Sequence, residues 1–78
     1  MFKELELVVL KSDIPEHGLI KGDIGVIVHK YRNEDSYEVE FVTADGETIT
    51  TLDLSTDYIR SFSDKEIMHV RSIYKFAV

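Results

Sequence analysis

Between Leu5 and Leu54, apolar residues return at every second position more often than at every third or fourth, and that period belongs to strands. Leu5, Leu7 and Val9 alternate with Glu4, Glu6 and Val8, which predicts a first strand over about 4–10. The long loop KSDIPEHGLIKGD follows, with the chain's only proline and two of its four glycines. Residues 24–31, 36–42 and 48–54 read as the next three strands. Short strands joined by tight turns, with no helical pattern between them, predict an all-β domain, a small antiparallel barrel or sandwich.

The stretch HGLIKGDIGVIV sets glycines just ahead of the most apolar run. Gly18 and Gly22 give the loop backbone conformations closed to other residues. Gly25, early in a strand, marks a bend or the close approach of another segment. A phosphate-cradling loop would open a helix, and no helix follows.

Turn residues set the registers. Asp45-Gly46 is a strong hairpin signal and pairs Val42 with Ile49, Phe41 with Thr50, Val39 with Leu52, and Tyr37 with Leu54. A symmetric turn over Arg32–Asp35 pairs Tyr31 with Ser36, Val28 with Val39, and Val26 with Phe41. Both hairpins turn Val39 and Phe41 inward. The outer face then aligns His29, Glu38 and Asp53 across three strands, with Ile27, Glu40 and Thr51 in the adjacent row. Opposed side chains on such strands lie about 5 Å apart at Cβ and can touch. Glu38 opposite Asp53 is a like-charge pair that costs stability, and a protonated His29 offsets it.

Four readings compete for this face. A divalent cation needs more enclosure than a flat sheet face offers, so no metal ligands are assigned. Acid–base catalysis needs a cleft, so no catalytic residues are assigned and no cofactor is expected. A partner's Lys and Arg would find complementary charge here, which makes Ile27, His29, Glu38, Glu40 and Asp53 the candidate protein-binding residues. The plainest alternative is a solvated face with a surface ion pair worth about 0–1 kcal/mol. His17 reads as an exposed loop histidine. Tyr31, Tyr37 and Tyr58 read as core or rim packing.

Composition changes the picture in two ways. The chain has 78 residues, 44% apolar and 31% charged, and no cysteine, so it must hold one small core without disulfides or thiolate metal sites. Its net charge of −6 is uneven: residues 1–59 carry −8 and residues 60–78 carry +2. Sparse, scattered Lys and Arg argue against nucleic-acid binding, and an acidic body suits a basic protein partner. No run is long enough to span a bilayer and the first residues mix acids into apolar positions, so a cytoplasmic protein without membrane contact is expected.

LSTDYIRSF (54–62) resembles the end of an SH3 domain, where a short 3₁₀ turn leads a tyrosine into the last strand. The order of strand, long loop, three-strand meander, turn and final strand fits an SH3-like barrel over residues 1–62. The chain lacks tryptophan and an ALYDY-like segment, so an aromatic groove for proline-rich ligands is not implied. DIPEHGLIKGDIGVIV is similar to the loop and strand of KOW-type domains and of the nitrile hydratase β-subunit barrel. Closer still, FKELELVVL, DIPEHGL, GDIGVIVH, YEVEFVTADGET and EIMHVR resemble a family of small bacterial domains of unknown function. That resemblance implies an SH3-like barrel acting as an accessory or antitoxin-like partner, with no established active site.

Residues 63–78 form a C-terminal extension. Met68, Val70, Tyr74, Phe76 and Val78 recur at period two, while Ile67, Val70, Tyr74 and Ala77 also make a helical stripe. β-Branched and aromatic content favours the strand. Such an apolar segment packs on its own barrel or on another chain, which makes Val70, Tyr74 and Phe76 candidates for homo-oligomer contacts. The expected function is therefore a non-enzymatic protein-binding module, an inhibitor or accessory subunit for a basic partner surface. A KOW-like nucleic-acid or ribosome-associated module is the alternative.

Overall fold

The computed structural model describes residues 2–32 and 35–73. Five strands, β1 (Leu7–Leu10), β2 (Ile24–Lys30), β3 (Ser36–Val42), β4 (Thr48–Ser55) and β5 (Ile59–Ser61), form one antiparallel sheet in the order β4-β3-β2-β1-β5. A flat sheet would hold its outer strands roughly 19 Å apart. Here Leu54 of β4 and Ile59 of β5 belong to one buried cluster with Val8, Leu10, Ile27, Tyr37, Val39 and Phe41. The sheet therefore rolls around its apolar face, the barrel-like all-β form expected, with its elements in the expected order.

Local chemistry moves some boundaries. β1 begins at Leu7 because Leu5 sits at φ 69, in a turn closed from the Glu6 N–H to the Lys3 carbonyl. That turn resets the parity: Val8 and Leu10 join the core cluster, Leu7 is exposed and Val9 is buried outside that cluster, so the alternation through Leu5, Leu7 and Val9 does not hold. The Asp45-Gly46 hairpin holds its predicted register from Phe41–Thr50 to Tyr37–Leu54. At its tip, however, Thr43 accepts from Gly46 N–H, Gly46 lies at φ 90, and Val42 opposes Thr48, not Ile49. The one regular 3₁₀ segment described is Pro15–His17, inside the long loop. The turn before β5 is a single one, from Tyr58 N–H to Ser55 carbonyl at 3.0 Å.

Gly25 faces the core. A methyl group at that position would lie 2.6 Å from Val39 Cγ1 and 2.9 Å from Phe41 Cε1. Overpacking of this kind costs about 1–3 kcal/mol. Gly25→Ala is therefore expected to lower the unfolding midpoint in urea, and Val39→Ala in the same chain to return part of the loss. A Gly25→Ala chain as stable as the parent would contradict this packing.

The C-terminal extension departs from expectation. Among the described residues, 62–73 contain neither strand nor helix, only a turn at Asp64–Lys65. Among the described residues, no backbone ladder joins 67–73 to the barrel, and side chains on Asp23 hold this segment instead.

Candidate functional site

Two surfaces carry concentrated chemistry. The first is the outer face of β2, β3 and β4. His29 opposes Glu38, and Glu38 opposes Asp53, as the turn residues predicted. In the neighbouring row Glu40 opposes Thr51. The residue beside them on β2 is Val26, which opposes Glu40. Ile27 is fully buried opposite Val39, so the expectation that it joins the outer face is wrong. The cause is a bulge at Val28, which leaves that residue unpaired and reverses the alternation below it. Val28 and Val26, expected inside, are half-buried.

Tyr31 completes the face. Its ring meets His29 edge-on at 4.9 Å between centroids, and its hydroxyl donates to Asp53 Oδ1 at 2.7 Å. That hydrogen bond, with the charges of Asp53 and Glu38, pushes the Tyr31 phenol up to about 12. Thr48 Oγ1 donates to Glu40 Oε2 at 2.7 Å. Among the described residues, no ion pair reaches Glu38, Glu40 or Asp53. Nor does any group of three His, Asp or Glu side chains come together there to hold a metal ion. The face is a polar, negatively charged plane on a hydrogen-bonded sheet.

The second surface lies where the long loop meets β2. The loop is braced by an Ile14–Leu19 bridge, by Lys21 N–H on Asp13 Oδ1 at 2.8 Å, and by Gly22 N–H on the Leu10 carbonyl at 3.0 Å. Gly18 and Gly22 supply its left-handed turns at φ 71 and 96. The loop delivers Asp23, the one buried charged residue among those described. Asp23 Oδ2 accepts from the Ile20 N–H at 2.9 Å and from Arg71 Nη2 at 2.5 Å. Asp23 Oδ1 meets His69 Nε2 at 2.9 Å and accepts from Arg71 Nε at 2.8 Å. Burial works against the charge, yet the hydrogen bonds from Arg71, Ile20 and His69 and the charge of Arg71 outweigh it and hold the carboxyl below its usual range.

Residues 62–73 thus run as a strap pinned at both ends. Near its root, Glu66 takes both terminal nitrogens of Arg60, at 2.8 and 2.6 Å, and the Ser63 N–H at 2.8 Å. These contacts bring the Glu66 carboxyl down to about 2. At the other end His69 and Arg71 grip Asp23. Between them the apolar side chains look outward: Ile67 is 95% and Val70 97% exposed. Of the residues expected to mediate self-association, Val70 is therefore accessible, while Tyr74 and Phe76 lie outside the described residues. His17 is exposed at the end of the 3₁₀ segment, as expected.

Sequence reasoning missed Asp23. Its partners lie 46 and 48 positions away, beyond any periodic pattern. Two signals pointed to it: a carboxylate placed directly before the most apolar strand, and two basic side chains at alternate positions, 69 and 71, set among Ile67, Met68, Val70 and Ile73.

The chain belongs to a family described as a domain of unknown function (DUF4926), whose model matches residues 4–61. The match covers β1 to β5 and ends where the strap begins. No curated protein and no solved structure matches the chain. Among the described residues no helix is long and apolar enough to cross a membrane.

Proposed function

We propose that this domain is a non-enzymatic protein-binding module that takes a basic surface of its partner on the β2–β3–β4 face, as an inhibitor or accessory subunit does. The observation that carries the reading is the register of Glu38 with Asp53, with Glu40 beside them and no cation paired to any of the three among the described residues. Like charges placed directly opposite are destabilising on a sheet, and a partner's Lys or Arg would relieve that cost on docking. His29, Tyr31 and the half-buried Val26 add a rim that stacks, donates hydrogen bonds and excludes water. An open sheet face also suits docking better than acid–base chemistry, which needs an enclosed substrate.

The test is co-purification from the source cell with the parent chain and with the variant Glu38→Lys/Glu40→Lys/Asp53→Lys. A partner that elutes with salt from the parent chain is expected to bind the variant at least about tenfold more weakly, a loss of about 1.4 kcal/mol. An unchanged set of partners overturns the reading. Retention of the parent chain on RNA at low salt, lost steeply as salt rises, would instead favour the nucleic-acid alternative.

A further inference from the structure

The strap on Asp23 has the form of a bound peptide. A segment without secondary structure lies against the barrel, and its described anchors are side chains: two nitrogens of Arg71 and one of His69 on a buried carboxylate. Arg71 Nη2 also donates to the Gly18 carbonyl at 2.8 Å, which the left-handed turn at Gly18 presents. The receiving side is prepared by the barrel itself. Asp23 is fixed by its own loop through the Ile20 amide, and its side chain is 10% exposed.

The fit beyond the anchor is loose. A cavity of about 480 Å³ lies between the strap and the barrel, with Leu19, Ile24, Phe41 and Val42 in its apolar wall. Val70 borders the cavity but leaves nearly all of its surface to solvent, and of the apolar residues from 67 to 73 Ile73 is the half-buried one. The site therefore combines a charged anchor that is well satisfied with apolar room next to it that the described strap leaves open. Charge runs the same way: the segment from residue 60 onward carries +2 against −8 for the rest of the chain.

We propose that the Asp23 site is a receptor for an extended, arginine-bearing segment of a partner protein, and that residues 69–73 of this chain are its resident occupant, displaced when the partner binds. The segment recognised carries an arginine for Asp23 and the Gly18 carbonyl, and a bulky apolar side chain two positions later for the cavity, as Arg71 and Ile73 are spaced. The proposal rests on the reading of the domain as a protein-binding module but uses a separate surface. Reversing Glu38, Glu40 and Asp53 should leave it intact, so the two readings fail independently.

The test uses the full chain and a fluorescent peptide with the sequence EIMHVRSI, residues 66–73. Parent protein keeps its own strap in place and is expected to bind the peptide weakly. The variant His69→Ala/Arg71→Ala frees Asp23 and is expected to bind it at least tenfold more tightly, with a rise in thermal midpoint on peptide addition. Adding Asp23→Asn to that variant, or carrying Arg71→Ala in the peptide, is expected to remove the gain. Equal binding by parent and double variant, or binding that survives Asp23→Asn, overturns the proposal. Concentration-dependent dimerisation of the parent that Asp23→Asn abolishes would give the site to a second copy and overturn the partner assignment. Should the double variant fail to fold, a dye on Met68→Cys, unique because the chain has no cysteine, reports strap release in otherwise native protein. Excess peptide is expected to shift its emission, and an unchanged signal at millimolar peptide overturns the proposal.

Discussion

Tyr37→Ala is expected to bring the domain close to unfolding at room temperature. Tyr37 is fully buried at the centre of β3 and meets Phe2 edge-on, with ring centroids 5.2 Å apart at 81°. Its hydroxyl accepts the Phe2 N–H at 3.3 Å, which ties the start of the chain to the core. Truncating a buried aromatic to alanine costs about 3–5 kcal/mol through lost transfer energy and the cavity left behind. A domain of 78 residues has about 4–12 kcal/mol of stability in total. The loss converts to a fall in Tm of roughly 12–40 °C for a chain of this size. Tyr37→Phe keeps the ring and loses only the hydroxyl, so it should cost about 1 kcal/mol. Thermal melts followed by circular dichroism separate the two. If both variants melted alike, the hydroxyl and not the ring would dominate, and the packing account of β3 would be wrong.

Tyr37 also shows which parts of the fold were legible in the sequence. Its inward position followed from the register that the Asp45-Gly46 turn predicted, which holds from Phe41–Thr50 down, and a slip of one residue there would turn Glu38 into the core. The same argument placed Glu38 opposite Asp53 and His29 opposite Glu38, and the structure agrees. The bulge at Val28 was not legible, because IGVIV is apolar at both parities and either set of residues can fill the core. Gly25 held the missing signal. With no side chain it fits beside Val39 and Phe41, and alternation from an inward Gly25 puts Ile27 inward as well. The acidic part of the candidate face thus came from turn chemistry, while its apolar neighbour was misplaced by one irregular residue.

The strand expected in the extension is absent from its described part, residues 63–73, for a different reason. Its apolar period was real, but the residues that decide its position are the polar ones between. His69 and Arg71 are fixed by a single carboxylate far away in the chain, while the apolar Ile67 and Val70 stay in water. A local pattern weighs apolar burial, which is proportional to area and comes from many partners. A buried carboxylate acts through a few directed bonds, and leaving it without partners costs more than exposing two aliphatic side chains. The strap therefore follows Asp23 and not the hydrophobic stripe.

That ordering of energies has a pH signature. At neutral pH, Asp23→Asn is expected to cost about 2–4 kcal/mol, since the guanidinium of Arg71 and the ring of His69 lose an ionised acceptor in a partly buried site. For this domain the change corresponds to a fall in Tm of roughly 8–32 °C. Asp23 has a native pKa below its usual value, because the bonds from Arg71, Ile20 and His69 favour the ionised form more than burial disfavours it. A depressed carboxylate stabilises the fold fully above the unfolded-chain pKa of about 3.9, and that contribution fades as pH falls through the native value. The difference in Tm between parent and Asp23→Asn should therefore stay constant from pH 7 down to about pH 5 and shrink below about pH 4. Glu66, brought down to about 2 by Arg60, and Asp45, lowered by the Thr43 hydroxyl, also lose stabilisation in acid, but they do so in both proteins and cancel in the difference. Histidine ionisation is separated by repeating the series on a His69→Gln background, where the closing of the gap in acid should persist. A gap that held its full size down to pH 2.5 would mean that Asp23 does not carry the strap as a charged group, and the anchor would have to be sought in the Gly18 carbonyl that Arg71 also holds.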